Sequence, residues 1–133
     1  MSRRDARDTA FKLVFEIPFH GCDYKERIDF FIENIDVELD NDDKQYIKKA
    51  VEICFENLEE IDEKITGFLK KWAFSRVPKV SISILRLAIA EMTYFDDIPY
   101  QVSINEAIEL AKKYGDDDAP SFVNGILDNI AKQ

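Results

Sequence analysis

Apolar positions follow helical periods along most of the chain, and the densest run, Val80 to Phe95, sets the centre of the pattern. Ile82, Ile84, Leu85, Leu87, Ala88, Ile89, Met92 and Phe95 do not keep to one stripe of a helical wheel. They cover most of it, as in a helix surrounded by protein on nearly every side. The run would span only about 20 Å, short of a bilayer core of ~30 Å, so it predicts a core helix rather than a membrane span. Ser81 is placed to cap its start, and Pro78 separates it from what precedes. Arg86 and Glu91 are its only ionisable residues. Both are expected on a narrow exposed edge or in pairs with neighbours, because unpaired buried charge is rare.

The rest of the chain reads as further helices around this hub. Over residues 2–17, Ala6, Ala10, Leu13 and Ile17 form an inner stripe, with Ser2 as cap and Pro18 and Gly21 as terminators. On that wheel Arg3, Arg4 and Arg7 face outward, and Phe11 and Phe15 also lie off the stripe. A second helix starts at Asp23 with Glu26 completing a capping box, its inner face Ile28, Phe31, Ile32 and Ile35. After the acidic turn Asp36–Asp43, Ile47, Val51, Cys54, Leu58, Ile61, Ile65, Phe68 and Trp72 recur at spacings of 4 and 3, a heptad-like seam. One straight helix over Asp42–Trp72 would be about 45 Å long, against a radius of gyration near ~14 Å for a domain this size. Two helices, or one bent near Asn57–Glu60, are therefore expected. Residues 73–80 read as a loop and Asp96–Pro99 as a turn. Ser103 and Glu106 form a capping box for a helix carrying Ile104, Ala107, Ile108 and Ala111 inward, with Gly115 in the left-handed conformation at its end. Asp118 caps a last helix that tolerates Pro120 in its first turn and buries Val123, Ile126, Leu127 and Ile130.

The pattern gives one all-α domain of about six or seven helices over residues 1–133. Composition narrows its chemistry. The lone histidine, His20, and two cysteines without ligand spacing, Cys22 and Cys54, leave little from which to build a metal site or a nucleophilic triad. Reduced thiols are expected, with Cys54 on a core stripe. There is no Gly-rich phosphate loop, so no enzyme and no cofactor are expected. The amino-terminal segment is charged from Arg3 onward and lacks an apolar h-region, so neither a signal peptide nor a membrane partner is expected. A net charge of −9 argues against coating nucleic acid non-specifically. Its distribution says more: residues 1–12 hold four basic and two acidic side chains, a local +2, leaving −11 on the remaining 121. A basic arm on an acidic body is a layout used for nucleic acid, and Phe11 and Phe15 beside it serve either as core or as stacking faces for an unpaired base.

Several motifs together resemble one family. Arg3-Arg4-Asp5-Ala6-Arg7, Ile84-Leu85-Arg86-Leu87-Ala88 with Glu91, Ile98-Pro99, the block Ile104 to Lys112 and the block Phe122 to Asp128 are similar to the NusB transcription antitermination factors, over the whole chain. The resemblance implies two packed helical subdomains, roughly 1–72 and 73–133, and a role in the bacterial cytoplasm. It implies binding of boxA-type single-stranded RNA in ribosomal RNA leader transcripts with NusE, a small-subunit ribosomal protein, on elongating RNA polymerase. The RNA-contacting positions it implies are Arg3, Arg4, Arg7, Phe15, Asp118 and Phe122. Asp5, where an arginine is common, and Asp116-Asp117 beside the site imply weaker RNA binding by the chain alone. A different class is also open: a protein-interaction module, either a homodimer or an acidic docking partner of a ribosomal protein, with no RNA contact.

Overall fold

A computed structural model describes residues 2–21, 23–35, 39–70 and 73–133. Its described residues form seven α-helices and no strand: α1 (Arg3–Glu16), α2 (Tyr24–Asn34), α3 (Asn41–Glu56), α4 (Leu58–Gly67), α5 (Lys79–Tyr94), α6 (Tyr100–Tyr114) and α7 (Ala119–Ala131). Short 3-10 turns follow α1 (Ile17–Phe19) and precede α5 (Phe74–Arg76). The predicted hub is α5. It touches α1, α3 and α4 on one side and α6 and α7 on the other, while α2 rests on α3 and α6 on α7. Every residue of α5 from Ser81 to Leu85 and from Leu87 to Glu91 is buried, as the all-round apolar pattern requires.

Local chemistry accounts for most helix boundaries. Ser2 Oγ accepts from the Asp5 N–H (3.1 Å) and the Asp5 carboxylate accepts from the Ser2 N–H (3.3 Å), a complete capping box. Asp5 thus holds the arginine-bearing helix start in place. The heptad-like seam divides into two helices at Asn57, whose backbone (φ −120°, ψ 25°) leaves the helical region; Trp72 lies outside the described residues, as do Cys22 and Asp36. Cys54 is fully buried, and its thiol donates to the Arg86 carbonyl at 3.5 Å. Burial pushes that thiol well above its usual range, so it stays protonated.

Five expected helix ends differ in detail from their expected form. Asp23 caps α2 through the Lys25 N–H (2.9 Å), one residue short of capping-box register. Helices α5 and α6 begin one residue after Pro78 and Pro99, not at Ser81 and Ser103. Ser81 and Ser103 therefore lie within the first turns of these helices, past the position from which a side chain can cap the start. Asp118 occupies the N-cap position of α7 without a side-chain cap; instead its own N–H donates to Asp116 (3.1 Å). Gly115 ends α6 in extended backbone, φ −92°, and not in the left-handed region. Its lack of a side chain matters for space, since a Cβ there would lie 2.5 Å from Ala119 Cβ.

Candidate nucleic-acid interface

The arginines expected to face outward are sorted by the helix into three environments. Arg3 and Arg7 are one turn apart and both meet Tyr46 of α3: the Arg3 guanidinium lies 4.5 Å and that of Arg7 5.7 Å from the ring centroid. Arg4, rotated off that line, reaches α6 and donates twice to Glu106, from Nε at 3.0 Å and Nη2 at 2.8 Å. Its side chain remains 69% exposed. Arg7 is not outward: it is 5% exposed and donates to Glu91 from Nε at 2.8 Å and Nη2 at 3.1 Å. Phe11, expected off the inner stripe, is buried too and stacks on Tyr114 with centroids 5.0 Å apart. The cause is that α1 lies against both α3 and α5, so a second stripe, Arg7, Phe11 and Val14, is covered as well as the first.

Glu91 is 1% exposed and collects the donors of three other helices: Arg7 of α1, the hydroxyl of Tyr46 of α3, and Ser103 Oγ of α6 at 3.0 Å. Full pairing is the condition on which a carboxylate can stay inside a protein. Burial alone would lower the Arg7 pKa, but the hydrogen bonds and charge of Glu91 outweigh it and hold the guanidinium above its ordinary value. Glu106 is held below the usual carboxylate range, chiefly by its hydrogen bonds from Arg4 and against the effect of burial. The sequence offered a signal for Arg7, which repeats with Phe11 and Val14 at helical spacing. It offered none for Glu106, Tyr46 or Ser103 as the partners, because these pairings are long-range.

The aromatic candidates sit elsewhere. Phe15 is half-buried near the carboxy-terminal end of α1, its ring 5.5 Å from Phe19. It lines a cleft of about 200 Å³. Phe122 and Asp118, at the start of α7, line a second cleft of about 430 Å³ together with Arg76. Val77 borders both clefts, so Phe15 and Phe122 belong to adjoining parts of one surface. Arg3, Arg4 and Arg7 are on neither lining. Eight residues of helix separate Arg7 from Phe15, about 12 Å. The six candidates therefore fall into two groups at opposite ends of α1. Among the described residues no group of three or more His, Cys, Asp or Glu could hold a metal ion, and no helix is long and apolar enough to cross a membrane.

A family model described as the NusB family matches residues 4–132. The transcription antitermination protein NusB of Clostridium novyi (strain NT) is 44% identical over 132 residues, 99% of each chain. That of Natranaerobius thermophilus is 46% identical over 135 residues, covering 100% of this chain and 96% of its own. Among solved structures, T. maritima NusB aligns with a TM-score of 0.90 and 38% identity, over 100% of this chain and 92% of that one. A crystal structure of antitermination factors NusB and NusE in complex with dsRNA aligns with a TM-score of 0.86 and 32% identity, over 98% and 96%. With sequence and backbone alike over nearly its whole length, the chain belongs to the NusB family.

Proposed function

We propose that this protein is a transcription antitermination factor that binds boxA-type single-stranded RNA of ribosomal RNA leader transcripts together with NusE. It joins the antitermination complex on RNA polymerase, in the cytoplasm, as an adaptor rather than an enzyme. The observation that carries this reading is end-to-end similarity to NusB proteins, one of them solved with NusE and RNA. Within the site, Arg3 and Arg4 supply exposed charge for phosphates, and Phe15 and Phe122 offer faces to splayed bases. Asp118 accepts from a base edge or a ribose hydroxyl. Arg7, paired inside with Glu91, holds the arm at its angle.

One observation favours the second reading, a protein-interaction module or homodimer. Each of the three arginines has an intramolecular partner: Tyr46, Glu106 and Glu91. Fluorescence anisotropy with a boxA-like RNA, NusE present, across a salt series separates the two. Arg3→Ala/Arg4→Ala is expected to weaken binding and to lower the salt slope by about 0.7 for each phosphate that is no longer neutralised. Thermal stability and NusE binding stay near those of the parent. A double variant that binds like the parent places the arm outside the RNA site and leaves the protein-only reading standing.

A further inference from the structure

An arginine can be held by its N–H donors or by its charge over an aromatic ring, and the choice decides what it has left to offer. The three arginines at the start of α1 divide on this point. Arg7 gives its donors to Glu91 at 2.8 and 3.1 Å, inside the protein. Arg4 gives Nε and Nη2 to Glu106 at 3.0 and 2.8 Å, the pair of donors that a phosphate would take in a bidentate contact. Arg3 is exposed and makes no ion pair among the described residues. What holds it is the Tyr46 ring, with the guanidinium 4.5 Å from the centroid.

Tyr46 is a fixed support. It is 3% exposed, its hydroxyl donates to Glu91 of α5, and its ring packs at a tilt on Phe95 with centroids 5.7 Å apart. Burial, and after it the charge of Glu91, push the phenol above its usual range, so it stays a neutral donor. A ring this buried is out of reach of a ligand, and whatever it does for binding it does through the side chain on top of it. A long side chain in the exposed first turn of a helix ordinarily has to be ordered when it meets its partner. That ordering weakens affinity roughly 2- to 12-fold for one rotamer-rich side chain. Over Tyr46, Arg3 is ordered beforehand, and by a contact that uses no carboxylate.

We propose that Tyr46 is a positioning residue for RNA binding: its ring holds Arg3 in place with the N–H donors unoccupied, which makes Arg3, ahead of Arg4, the leading phosphate contact of the α1 start. This rests on the RNA-binding reading and adds to it a residue of α3 that RNA does not touch. The ring contact ties Arg3 to the body of the protein without competing with a phosphate, whereas Glu106 competes for Arg4.

The test is anisotropy with a fluorescein-labelled boxA-like RNA, NusE present, across a salt series, on Tyr46→Leu and Tyr46→Phe alone and combined with Arg3→Ala or Arg4→Ala. Tyr46→Leu is expected to weaken binding roughly 2- to 12-fold with the salt slope unchanged, because the phosphate contact survives but has to be ordered. Arg3→Ala is expected to lower the slope by about 0.7. Tyr46→Leu added to Arg3→Ala should weaken binding no further, whereas added to Arg4→Ala it should keep its full effect. Tyr46→Phe keeps the ring, loses only the bond to Glu91, and should restore most of the parent's affinity. A Tyr46→Leu loss that persists without Arg3, or a Tyr46→Phe variant that binds as weakly as Tyr46→Leu, overturns the proposal. NMR of the parent without RNA gives a check that needs no variant: the Arg3 Nε–H should show an upfield ring-current shift and restricted motion. A freely mobile Arg3 overturns the proposal even where Tyr46→Leu does not fold. If the parent binds RNA while Tyr46→Leu and Arg3→Ala bind equally well, the proposal fails and the function stands. A parent that binds no RNA, with or without NusE, removes both.

Discussion

Glu91 is the only acid in the hub helix, and its burial is sustained by donors from three other helices. Removing the carboxylate leaves Arg7 inside without its main partner. Glu91→Ala is therefore expected to cost about 3–5 kcal/mol in urea unfolding, far above a surface ion pair. A loss below ~1 kcal/mol would show that the guanidinium finds another partner or escapes to solvent. Glu106 has the opposite character. Its carboxylate covers the same edge of Arg4 that a phosphate would use, so Glu106→Gln is expected to tighten binding of a boxA-like RNA while Glu109→Gln, a nearby charge control, does so less. Equal gains from the two variants would mean that only net charge matters. At this scale the chain was legible where a rule is local: the Ser2 cap and the buried alternation Ala6, Ala10, Leu13 both appear as expected. The Arg7 environment was legible only in part, because its repeat with Phe11 and Val14 marks a second stripe while the partner that lets a guanidinium go inside is 84 residues away.

At the scale of elements, α5 is the member every layer depends on. Leu85 is fully buried in it, and Leu85→Ala is expected to cost about 2–5 kcal/mol by transfer and cavity terms together. An unfolding midpoint that does not move would remove α5 from the centre of the core. The same apolar pattern that located this helix also located the break between α3 and α4, because 3-and-4 spacing on a chain this short forces a turn. Helix starts were harder to read. Serines at 81 and 103 looked like caps, but prolines three and four residues earlier had already opened α5 and α6. The serines were thereby left inside, where Ser103 serves Glu91. Of the candidate site, residue types and rough location could be read. The grouping into an arginine end and an aromatic end, and the cleft that Phe15 lines, required the path of α1 across α5.

Over the whole molecule, α1 is tied to α6 by polar contacts at both ends of the shared face. Asp8 accepts from Tyr114 at 2.8 Å, Lys113 at 3.0 Å and Lys12 at 3.2 Å, while Glu106 accepts from Arg4 and Arg7. Burial alone would raise the Asp8 pKa, but the bonds from Tyr114, Lys113 and Lys12 lower it below its ordinary 3.8; Glu106 is likewise held below its ordinary 4.5. Both groups thus contribute stability that is complete above those values and lost as pH falls through the lower folded ones. The thermal midpoint is expected to drop below about pH 4, and Asp8→Asn to flatten that drop. Identical acid profiles would assign the loss to other carboxylates. The four-helix meeting at Glu91 has a further consequence for how the chain is made. Synthesis delivers Arg7 first, then Tyr46, then Glu91, and Ser103 last. A nascent chain ending before α5 holds a guanidinium with nowhere dry to go, so α1 should stay undocked on the ribosome. Stalled chains of increasing length, probed by brief proteolysis, are expected to gain protection abruptly once α6 has left the exit tunnel; protection gained with α1 to α4 alone would contradict this.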